Sequence, residues 1–479
     1  MVQKENPGLI NATGTSGWKK SVFGIIGAVI GALIMFYLLP ADQLEVSARS
    51  LAALFVAALV LWVTESLPVP VTSLMVLAVM PLFKVYPTLK ASTVGFYNTV
   101  PYFVIASFVL SYAVEKSGIG RRFALWLLSK TGTRTKVALL VFMVGCAMTS
   151  AIMSDVPSCA IWMSLALPIL NNLEVVPGKS KLGKAFMMGI PIAALTGGVA
   201  TPAGSSINIL ALSLLKDKGG IDVSFLQWMG IGVPVAAIMI FVAWFILIKV
   251  VKPEFDSIGD VEQFKVEHKE LGKWNNTEIK TALIMAVAFV LWIASTWVKV
   301  LDISMVAILA AAVMFLPGIR LMSWKEAESN IGWGTVMMIG VVTSLGTASS
   351  DTGLSAWVVT NALGGLSGMS VVWITLIIAA FTIIIHLPIP INPAIVAAII
   401  PPMLALAAAQ GINPAIYILP VTFTTSAAFL LPLDAVTLVT YSKGYYSMYD
   451  MFLPGALISV VWIAVVTVLT VTLGPVLGF

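Results

Sequence analysis

The sequence predicts an all-α polytopic membrane protein, with about 11 transmembrane helices and two re-entrant hairpins in an inverted-topology repeat. Composition is the first of three observations that predict this fold. Apolar residues make up 59% of the 479 residues and charged residues only 10%, and the mean hydropathy is +1.00. Long apolar stretches at this density indicate a multi-span membrane protein rather than a soluble one.

The second observation is a repeat with an offset of about 235 residues. Gly118 in Glu-Lys-Ser-Gly-Ile returns as Gly353 in Asp-Thr-Gly-Leu. Asp155-Val-Pro returns, 237 residues later, as Asn392-Pro-Ala. Duplicated membrane halves that are interrupted at matching places indicate a transporter with its site at the repeat interface.

The third observation is that two apolar stretches are too long for one span and break in the middle. Residues 136–171 break at the polar run 154–158, and residues 370–409 break at the proline-rich run 388–393. Non-helical backbone at membrane depth survives only where protein or a wet cavity satisfies it. Both stretches are therefore expected to be re-entrant hairpins.

Each full span needs about 20 apolar residues. The segment from Val22 to Leu39 is too long for the apolar region of a signal peptide and lacks a cleavage site behind it, so it is expected to be the first span. The expected full spans lie near 20–39, 50–67, 70–86, 101–117, 185–215, 228–252, 279–297, 303–318, 331–347, 414–442 and 450–478.

Basic residues give the orientation. With the N-terminus in the cytoplasm, 21 Lys and Arg residues fall on the inside and 6 on the outside, as the positive-inside rule requires. The two hairpins then open on opposite sides, so the halves form an inverted repeat in the plasma membrane.

The segments 120–130 and 354–363 are expected to be interfacial helices lying along the membrane surface. The only long hydrophilic linker joins the halves and is expected on the cytoplasmic side. This organisation divides the chain into an N-terminal segment with the first span (1–45), a first repeat (46–252), the linker (253–278) and a second repeat (279–479).

The sequence lacks the signatures of an enzyme or a nucleic-acid-binding protein. Neither H-E-x-x-H nor G-x-x-x-x-G-K-[ST] occurs, and no basic patch interleaves with aromatic residues. Of the two histidines, His386 is expected to be a hydrogen-bonded core residue, with a functional role as the alternative. Cys146 and Cys159 lie in apolar context and do not indicate a disulfide framework or a metal site.

Asp155 and Asp434 are the strongest candidate functional residues because both lie at breaks in apolar segments. A carboxylate at membrane depth is costly and indicates function. The alternative is a capping role, in which Asp155 accepts the free N–H groups of a helix that starts near Pro157. Glu65, at the end of a span, is expected to be an interface residue.

A second break in the first half is the small, polar run 196–208, and its counterpart in the second half is 431–437. Packing of small residues explains Gly197 and Gly198, but it explains Thr201 and Asn208 less well. Half-helix N-termini at these breaks would point positive dipole ends inward, which suits an anion, whereas exposed carbonyl and carboxylate groups suit a cation.

These residues resemble the divalent anion:sodium symporter family of dicarboxylate, citrate and sulfate carriers. The clearest match is the run 61–73, LWVTESLPVPVTS, followed by EKSGIGRR at 115–122 and GGVAT at 197–201. The resemblance extends along nearly the whole chain. It implies a homodimer with a scaffold domain and a moving transport domain, which works as an elevator.

The family commonly carries Ser-Asn-Thr at both hairpin tips, where side chains hold substrate carboxylate and sodium. Here the tips read Ser154-Asp155-Val156 and Ile391-Asn392-Pro393. The family's Thr-Pro-Pro-Asn becomes Ser-Ser-Ile-Asn at 205–208, and Asp-Ala-Val-Thr at 434–437 stands near it. Several hydroxyl groups are thus missing, which favours a sodium-independent exchanger over a sodium symporter.

The sequence therefore predicts a secondary transporter for small dicarboxylates such as succinate, malate or 2-oxoglutarate. No cofactor or certain metal site is predicted, and sodium is the one ion that the resemblance implies. Asp155 and Asp434 are expected to serve a coupling cation or to fix the loops; carrying a proton and pairing with His386 or Lys443 are alternatives. The expected substrate contacts are Ser154, Asn392, Thr201, Ser205, Asn208 and Thr437.

Four rival functions remain. A sodium-coupled dicarboxylate symporter or a sulfate carrier would keep the fold. An anion channel would need a continuous pore lined by rings of polar groups, whereas hairpins that meet at mid-membrane suggest occlusion. A membrane-embedded enzyme is the most distant alternative, because no pair of nucleophile and base is visible.

Overall fold

The computed structural model describes residues 15–259, 262–298, 300–366 and 368–479; residues 1–14 of the predicted N-terminal segment and two linker positions lie outside the described residues. Within those ranges the chain is all-helical, with 22 α-helices and no strand. The helices are α1 Thr15–Leu38, α2 Val46–Thr64, α3 Val69–Val79, α4 Leu89–Ser92, α5 Val100–Ser117, α6 Ile119–Ser129, α7 Thr135–Met153, α8 Asp155–Asn172, α9 Lys181–Gly198, α10 Ser206–Gly219, α11 Phe225–Val251, α12 Glu262–Glu270, α13 Asn276–Ala294, α14 Ile303–Val313, α15 Trp324–Asn330, α16 Trp333–Asp351, α17 Leu354–Asn361, α18 Val371–Ile385, α19 Asn392–Gln410, α20 Ala415–Thr425, α21 Ala435–Tyr441 and α22 Met448–Leu477.

Seven helices of the described chain are long and apolar enough to cross a membrane, or nine if each of two bent helix pairs forms one span. Large apolar side chains on these helices, such as Phe23, Val290 and Val460, are more than half exposed. Apolar surface on this scale suits lipid rather than water. The structure therefore agrees with a multi-span membrane protein.

Several expected spans are shorter or more interrupted than the hydropathy pattern predicts. Helices α3 and α14 have 11 residues each, which is about 16 Å of helix against a hydrocarbon core of about 30 Å. The expected spans 185–215 and 414–442 are each broken into two helices. Their polar centres leave the helical path, as the sequence indicated.

Both long apolar stretches break where the sequence predicts. Ser154 alone separates α7 from α8, and residues 386–391 separate α18 from α19. The first break is tighter than expected, because Asp155 already lies in the helix. Ser154 has a φ of 80°, a left-handed conformation that L-residues other than glycine seldom adopt.

The repeat recurs in the backbone as well as in the sequence. Gly118 precedes α6 with a φ of 77°, and Gly353 precedes α17 with a φ of 78°. Both positions need the left-handed conformation, which glycine adopts without steric cost. Capping boxes with serine at the N-cap also begin α11, at Ser224, and α22, at Ser447.

One compact unit comprises the described residues of 1–101 together with 333–365 and 397–406. In this unit α1 lies along α2, and α16 packs on α3. Ser344 accepts a hydrogen bond from the Gly95 N–H at 2.9 Å, and its carbonyl oxygen accepts one from the Tyr86 hydroxyl at 3.0 Å. A side chain at Gly95 would overlap the Gly340 carbonyl oxygen, so glycine is needed for this close approach.

The second compact unit comprises the described residues of 102–332, 366–396 and 407–479. Helices α7, α8 and α9 pack on one another, and α21 packs on α8 and α9. Phe142 contacts Trp162 and Phe186 edge to face, with ring centroids 5.5 and 5.1 Å apart. This aromatic core holds the first hairpin rigidly against α9.

A buried ion pair fixes the linker to α6. Arg122 donates from Nε and Nη2 to the two carboxylate oxygens of Glu278, at 2.8 and 3.0 Å. It also donates to the carbonyl oxygens of Leu271 and Gly272. Both charged side chains are over 90% buried. The neighbouring pair of Arg121 and Glu267 is exposed.

Arg122→Ala should lower the stability of the purified protein by about 3–5 kcal/mol, because it leaves the Glu278 carboxylate buried without its partner. Arg121→Ala is the matched control and should cost at most about 1 kcal/mol, because its pair is exposed to solvent. Thermal unfolding in detergent measures both. Equal shifts in the two variants would show that the Arg122 pair does not hold the linker.

Candidate functional site

The tip of the first hairpin exposes the start of a helix. Ser154 occupies the N-cap position of α8, but its side chain makes no capping hydrogen bond. The first N–H groups of a helix have no partner within the helix, and they carry the positive end of its dipole. This tip therefore offers donors to an anion.

Asp155, the first residue of α8, is buried. The Ser150 hydroxyl donates to Asp155 Oδ1 at 2.6 Å. The Ser150 hydroxyl also donates to the Ala194 carbonyl oxygen of α9, at 2.7 Å. A methyl group at Gly198 would overlap the Asp155 carboxyl group. The aspartate is thus enclosed between its own hairpin and the end of α9.

Because α8 begins at Asp155 itself, the expected cap of a helix starting near Pro157 is not formed. The carboxyl group instead contacts the side chain one turn earlier, on α7. The interpretation of Asp155 as the cap of a helix starting near Pro157 is therefore wrong, since α8 begins two residues earlier than the sequence suggested.

The second break of the first half is tied to the first hairpin. Thr201 donates to the Ala151 carbonyl oxygen at 2.6 Å. Asn208 donates to the carbonyl oxygens of Gly198 and Thr201, at 2.9 and 3.0 Å. Its Oδ1 is buried without a partner among the described residues, so Asn208 presents an acceptor to the site.

Asp434 is a genuine helix cap. It precedes α21, and its Oδ1 accepts the Val436 N–H at 2.8 Å. Its Oδ2 accepts a hydrogen bond from Asn392 Nδ2 at 3.0 Å, which joins the second hairpin to the second broken segment. Thr437 donates to the Asp434 carbonyl oxygen at 2.8 Å, so its hydroxyl stabilises this turn.

The two halves of the site meet at α8. The Cys159 thiol of α8 donates to the Val436 carbonyl oxygen of α21 at 3.5 Å. Helix α8 also packs on α9. The first hairpin thus lies against both broken segments, through α9 and through α21.

Among the six expected substrate contacts, Ser154 and Ser205 are the N-cap residues of α8 and α10, and neither side chain caps its helix. Thr201 and Thr437 donate to carbonyl oxygens. Among the described residues, the Asn392 amide nitrogen donates once, to Asp434, which leaves its second N–H available.

The expected bases do not pair with the aspartates. In the part of the chain that the structure describes, neither Asp155 nor Asp434 forms an ion pair. His386 is buried and lines one small pocket with Asp434. Lys443 lies beyond the end of α21 and is exposed. Pairing with a base is therefore not how the structure accommodates either carboxyl group.

Two residues that enclose Asp155, Ser150 and Gly198, were not predicted from the sequence to contact it. Ser150 is a lone hydroxyl residue in apolar context, five residues before Asp155. Its position one helical turn before the break was the available signal. Gly198 was assigned to helix packing, but the group that it accommodates is the Asp155 carboxyl group.

Residues 19–479 match the family model described as the sodium:sulfate symporter transmembrane region. The chain belongs to this family. The match confirms the resemblance to the divalent anion:sodium symporters, whose members are transporters rather than enzymes.

Similar proteins come from several bacteria. A "membrane protein" of Cupriavidus necator H16 is 28% identical over 437 residues, covering 86% of this chain and 84% of that protein. The sodium-dependent dicarboxylate transporter SdcS of Staphylococcus saprophyticus is 24% identical over 482 residues, covering 95% of this chain and 92% of that protein. SdcS of Staphylococcus aureus USA300 is 24% identical over 415 residues, covering 81% and 79%.

A solved structure shares the fold. The crystal structure of the Alcanivorax borkumensis YdaH transporter, described as having an unusual topology, superposes with a TM-score of 0.56 at 13% identity. The match covers 80% of this chain and 87% of that one. Together with the family, this makes the chain a multi-pass membrane transporter.

Gly198→Ala should destabilise the protein by about 1–3 kcal/mol, because the added methyl group displaces the Asp155 carboxyl group in a packed core. Gly132→Ala is the control and should change stability by less than about 0.5 kcal/mol, since nothing lies within 4 Å of its added carbon. Thermal unfolding measures both.

A double-mutant cycle isolates the clash. In an Asp155→Ala background the cost of Gly198→Ala should shrink, because the overlapping group is gone. An unchanged cost in that background would contradict the placement of Asp155 against α9.

Proposed function

We propose that this chain is a secondary active transporter of small dicarboxylates of the succinate, malate or 2-oxoglutarate type, acting as an exchanger by an elevator mechanism. The observation that carries the proposal is the meeting of the first hairpin with the broken segments of both halves. Secondary transporters place their sites where the interrupted helices of two repeats converge.

The donors of this site fit an anion with two separated charged groups. At the first tip, Ser154 and the first N–H groups of α8 serve one carboxylate. Ser205 lies in the second break of the first half and adds a further hydroxyl group. The free N–H of Asn392, at the second tip, serves the other carboxylate. We assign Thr201, Asn208 and Thr437 to shaping the site, because their donors are already engaged.

Relatives support the choice of a dicarboxylate over sulfate. The two staphylococcal relatives are named sodium-dependent dicarboxylate transporters, although the family description names sulfate. An inorganic oxyanion is compact and needs one cluster of donors rather than two. Sodium-coupled symport of dicarboxylate or sulfate is the alternative, in which Asp155 and Asp434 serve the sodium ion.

The proposed arrangement in the plasma membrane has about 11 membrane-crossing segments, some of them short or broken, two re-entrant hairpins and a cytoplasmic N-terminus, with the chain working as a homodimer in the lipid bilayer. The first repeat (46–252) and the second repeat (279–479) have opposite orientation in the membrane, joined by the cytoplasmic linker 253–278. The excess of basic residues on one side supports this orientation.

Counterflow in proteoliposomes tests the proposal. Vesicles loaded with unlabelled succinate should take up labelled succinate without a sodium gradient, and empty vesicles should not. Excess unlabelled sulfate should leave this uptake unchanged. Uptake into empty vesicles that needs an inward sodium gradient would establish the symport alternative, and the same assay with labelled sulfate would identify a sulfate carrier.

Asn392→Ala should reduce succinate counterflow by roughly 10- to 100-fold, because it removes a donor to charged groups that is worth about 1.5–3 kcal/mol. Asn171→Ala is the matched control: this asparagine is exposed near the far end of α8, and its loss should leave uptake unchanged. Size-exclusion chromatography should show that both variants are folded. Full counterflow by Asn392→Ala would exclude this residue from the site.

A further inference from the structure

The first three helices of the chain lie side by side in alternating directions. A side chain at Gly24 of α1 would overlap Ser66, just beyond the end of α2, and one at Gly31 would contact Val56 in the middle of α2. Helix α3 follows α2 after the short turn 65–68 and packs on it, as antiparallel neighbours do. The end of α1, the start of α2 and the segment after α3 thus lie at one end of the group.

Each of these helices turns an apolar face toward a common groove. On α1 the lining residues include Ile25, Val29 and Leu33, and on α2 they include Ala57 and Leu61. Spacings of three or four residues place side chains on one face of a helix. The groove encloses about 640 Å³, which is roughly 20 times the volume of one water molecule in the liquid.

The polar groups of the groove are concentrated at one end. Tyr37 lies near the end of α1, Ser50 in the second turn of α2, and Lys84 beyond α3. Among the described residues, the others that line the groove are apolar. The three polar positions belong to the same end of the helices, so the groove has one polar end and an apolar length. A ligand that matches both parts is an amphiphile.

The length of the groove fits one leaflet of a membrane. From Ile25 to Tyr37, which both line the groove, helix α1 rises by about 18 Å at roughly 1.5 Å per residue. The hydrocarbon core of a bilayer is about 30 Å thick, so one leaflet contributes about 15 Å. An acyl chain therefore fits along the groove with its headgroup at the polar end. Ordered water does not fit the apolar length, because a bound water needs several polar partners.

Two cationic side chains lie at the polar end. Lys84 is exposed and lines the groove. Arg49, the neighbour of Ser50, donates from Nε and Nη2 to the Phe36 carbonyl oxygen at 3.1 and 2.9 Å, and its guanidinium lies over the Phe36 ring. Because a guanidinium has five N–H donors, Arg49 retains donors beyond these two. Phe36 itself lines the groove, which places the Arg49 charge beside it.

Neighbouring carboxylates do not neutralise these charges. In the part of the chain that the structure describes, neither Lys84 nor Arg49 forms an ion pair. The acidic residues nearest to Arg49 in sequence, Asp42 and Glu45, are exposed and do not line the groove. The polar end therefore favours an anionic group. A zwitterionic headgroup suits it less well, because its own cation would meet Lys84 and Arg49.

We propose that the groove between α1, α2 and α3 binds a phospholipid with an anionic headgroup. An acyl chain packs against the apolar walls, and Lys84 and Arg49 bind the headgroup phosphate. Each basic residue near an anionic membrane lipid raises its affinity by about 5-fold. This site goes beyond the proposed function, because its ligand is independent of the anion that the chain carries.

Native mass spectrometry of the purified, delipidated protein tests the headgroup. The probes are phosphatidylglycerol and phosphatidylcholine with the same acyl chains. The wild type should bind phosphatidylglycerol at lower lipid concentration than phosphatidylcholine. Lys84→Ala should weaken phosphatidylglycerol binding by about 5-fold and leave phosphatidylcholine binding unchanged. Lys90→Ala is the matched control: this lysine of α4 is exposed and does not line the groove, so the preference should persist.

A larger side chain within the groove tests the acyl-chain contact. Ala57→Phe should reduce the binding of both lipids, because the ring occupies the space of the chain. Ala78→Phe is the control and should bind both, since Ala78 is exposed on α3 and does not line the groove. Thermal unfolding without lipid should show that all the variants are folded. Added phosphatidylglycerol should raise the unfolding temperature of the wild type more than that of Lys84→Ala.

Equal binding of the two lipids by the wild type, or a headgroup preference that Lys84→Ala leaves at full strength, would overturn this assignment. A wild-type dimer without bound lipid that Ala57→Phe converts to monomer would also overturn it, because the groove would then hold a second copy of the chain. Neither measurement involves succinate. A failure of succinate counterflow therefore leaves the lipid site standing, and a failure of lipid binding leaves the proposed transport untouched.

Discussion

A carboxyl group buried at the start of a membrane helix is the constraint on which the rest of the site depends. Asp155 can be enclosed only because α9 ends in Gly198, which leaves room for it, and because Ser150 lies one turn earlier to contact it. The left-handed backbone at Ser154 turns the chain within a single residue. Strain of this kind persists where the surrounding structure over-determines it, and it is concentrated at functional sites.

The two halves share features of the backbone at the ends of their helices, but they differ in the side chains at the hairpin tips. Left-handed glycines precede α6 and α17, and serine capping boxes begin α11 and α22. At the hairpin tips, however, Asp155 of the first half matches Asn392 of the second half in the repeat. The amide of Asn392 complements the second carboxylate, Asp434. The matched positions thus share backbone conformation at two glycines, whereas the side chains at the two tips differ and are chemically complementary.

Hydropathy and the repeat predicted the helical membrane fold and the positions of both hairpin breaks, because apolar segments with polar centres have few other solutions in lipid. The lengths of α3 and α14 were overestimated from the sequence. Apolar residues in a turn that follows a helix have the same hydropathy as apolar residues within the helix. The partners of Asp155 could not be predicted. Ser150 and Gly198 are 48 residues apart in the chain, and only the packing of α7 on α9 shows that they enclose one carboxyl group.

Electrostatics sets a cost on placing a carboxylate near the site of a dianion. A dianion about 10 Å from an ionised Asp155 would be repelled by roughly 3 kcal/mol at an effective dielectric constant near 20. A coupling cation or a proton held at Asp155 would remove that repulsion, so it would favour binding of the anion, and by reciprocity the anion would favour its binding. Asp434 differs from Asp155, because two N–H donors compensate its charge. Charge balance would then be enough to link the occupant of Asp155 to the dianion.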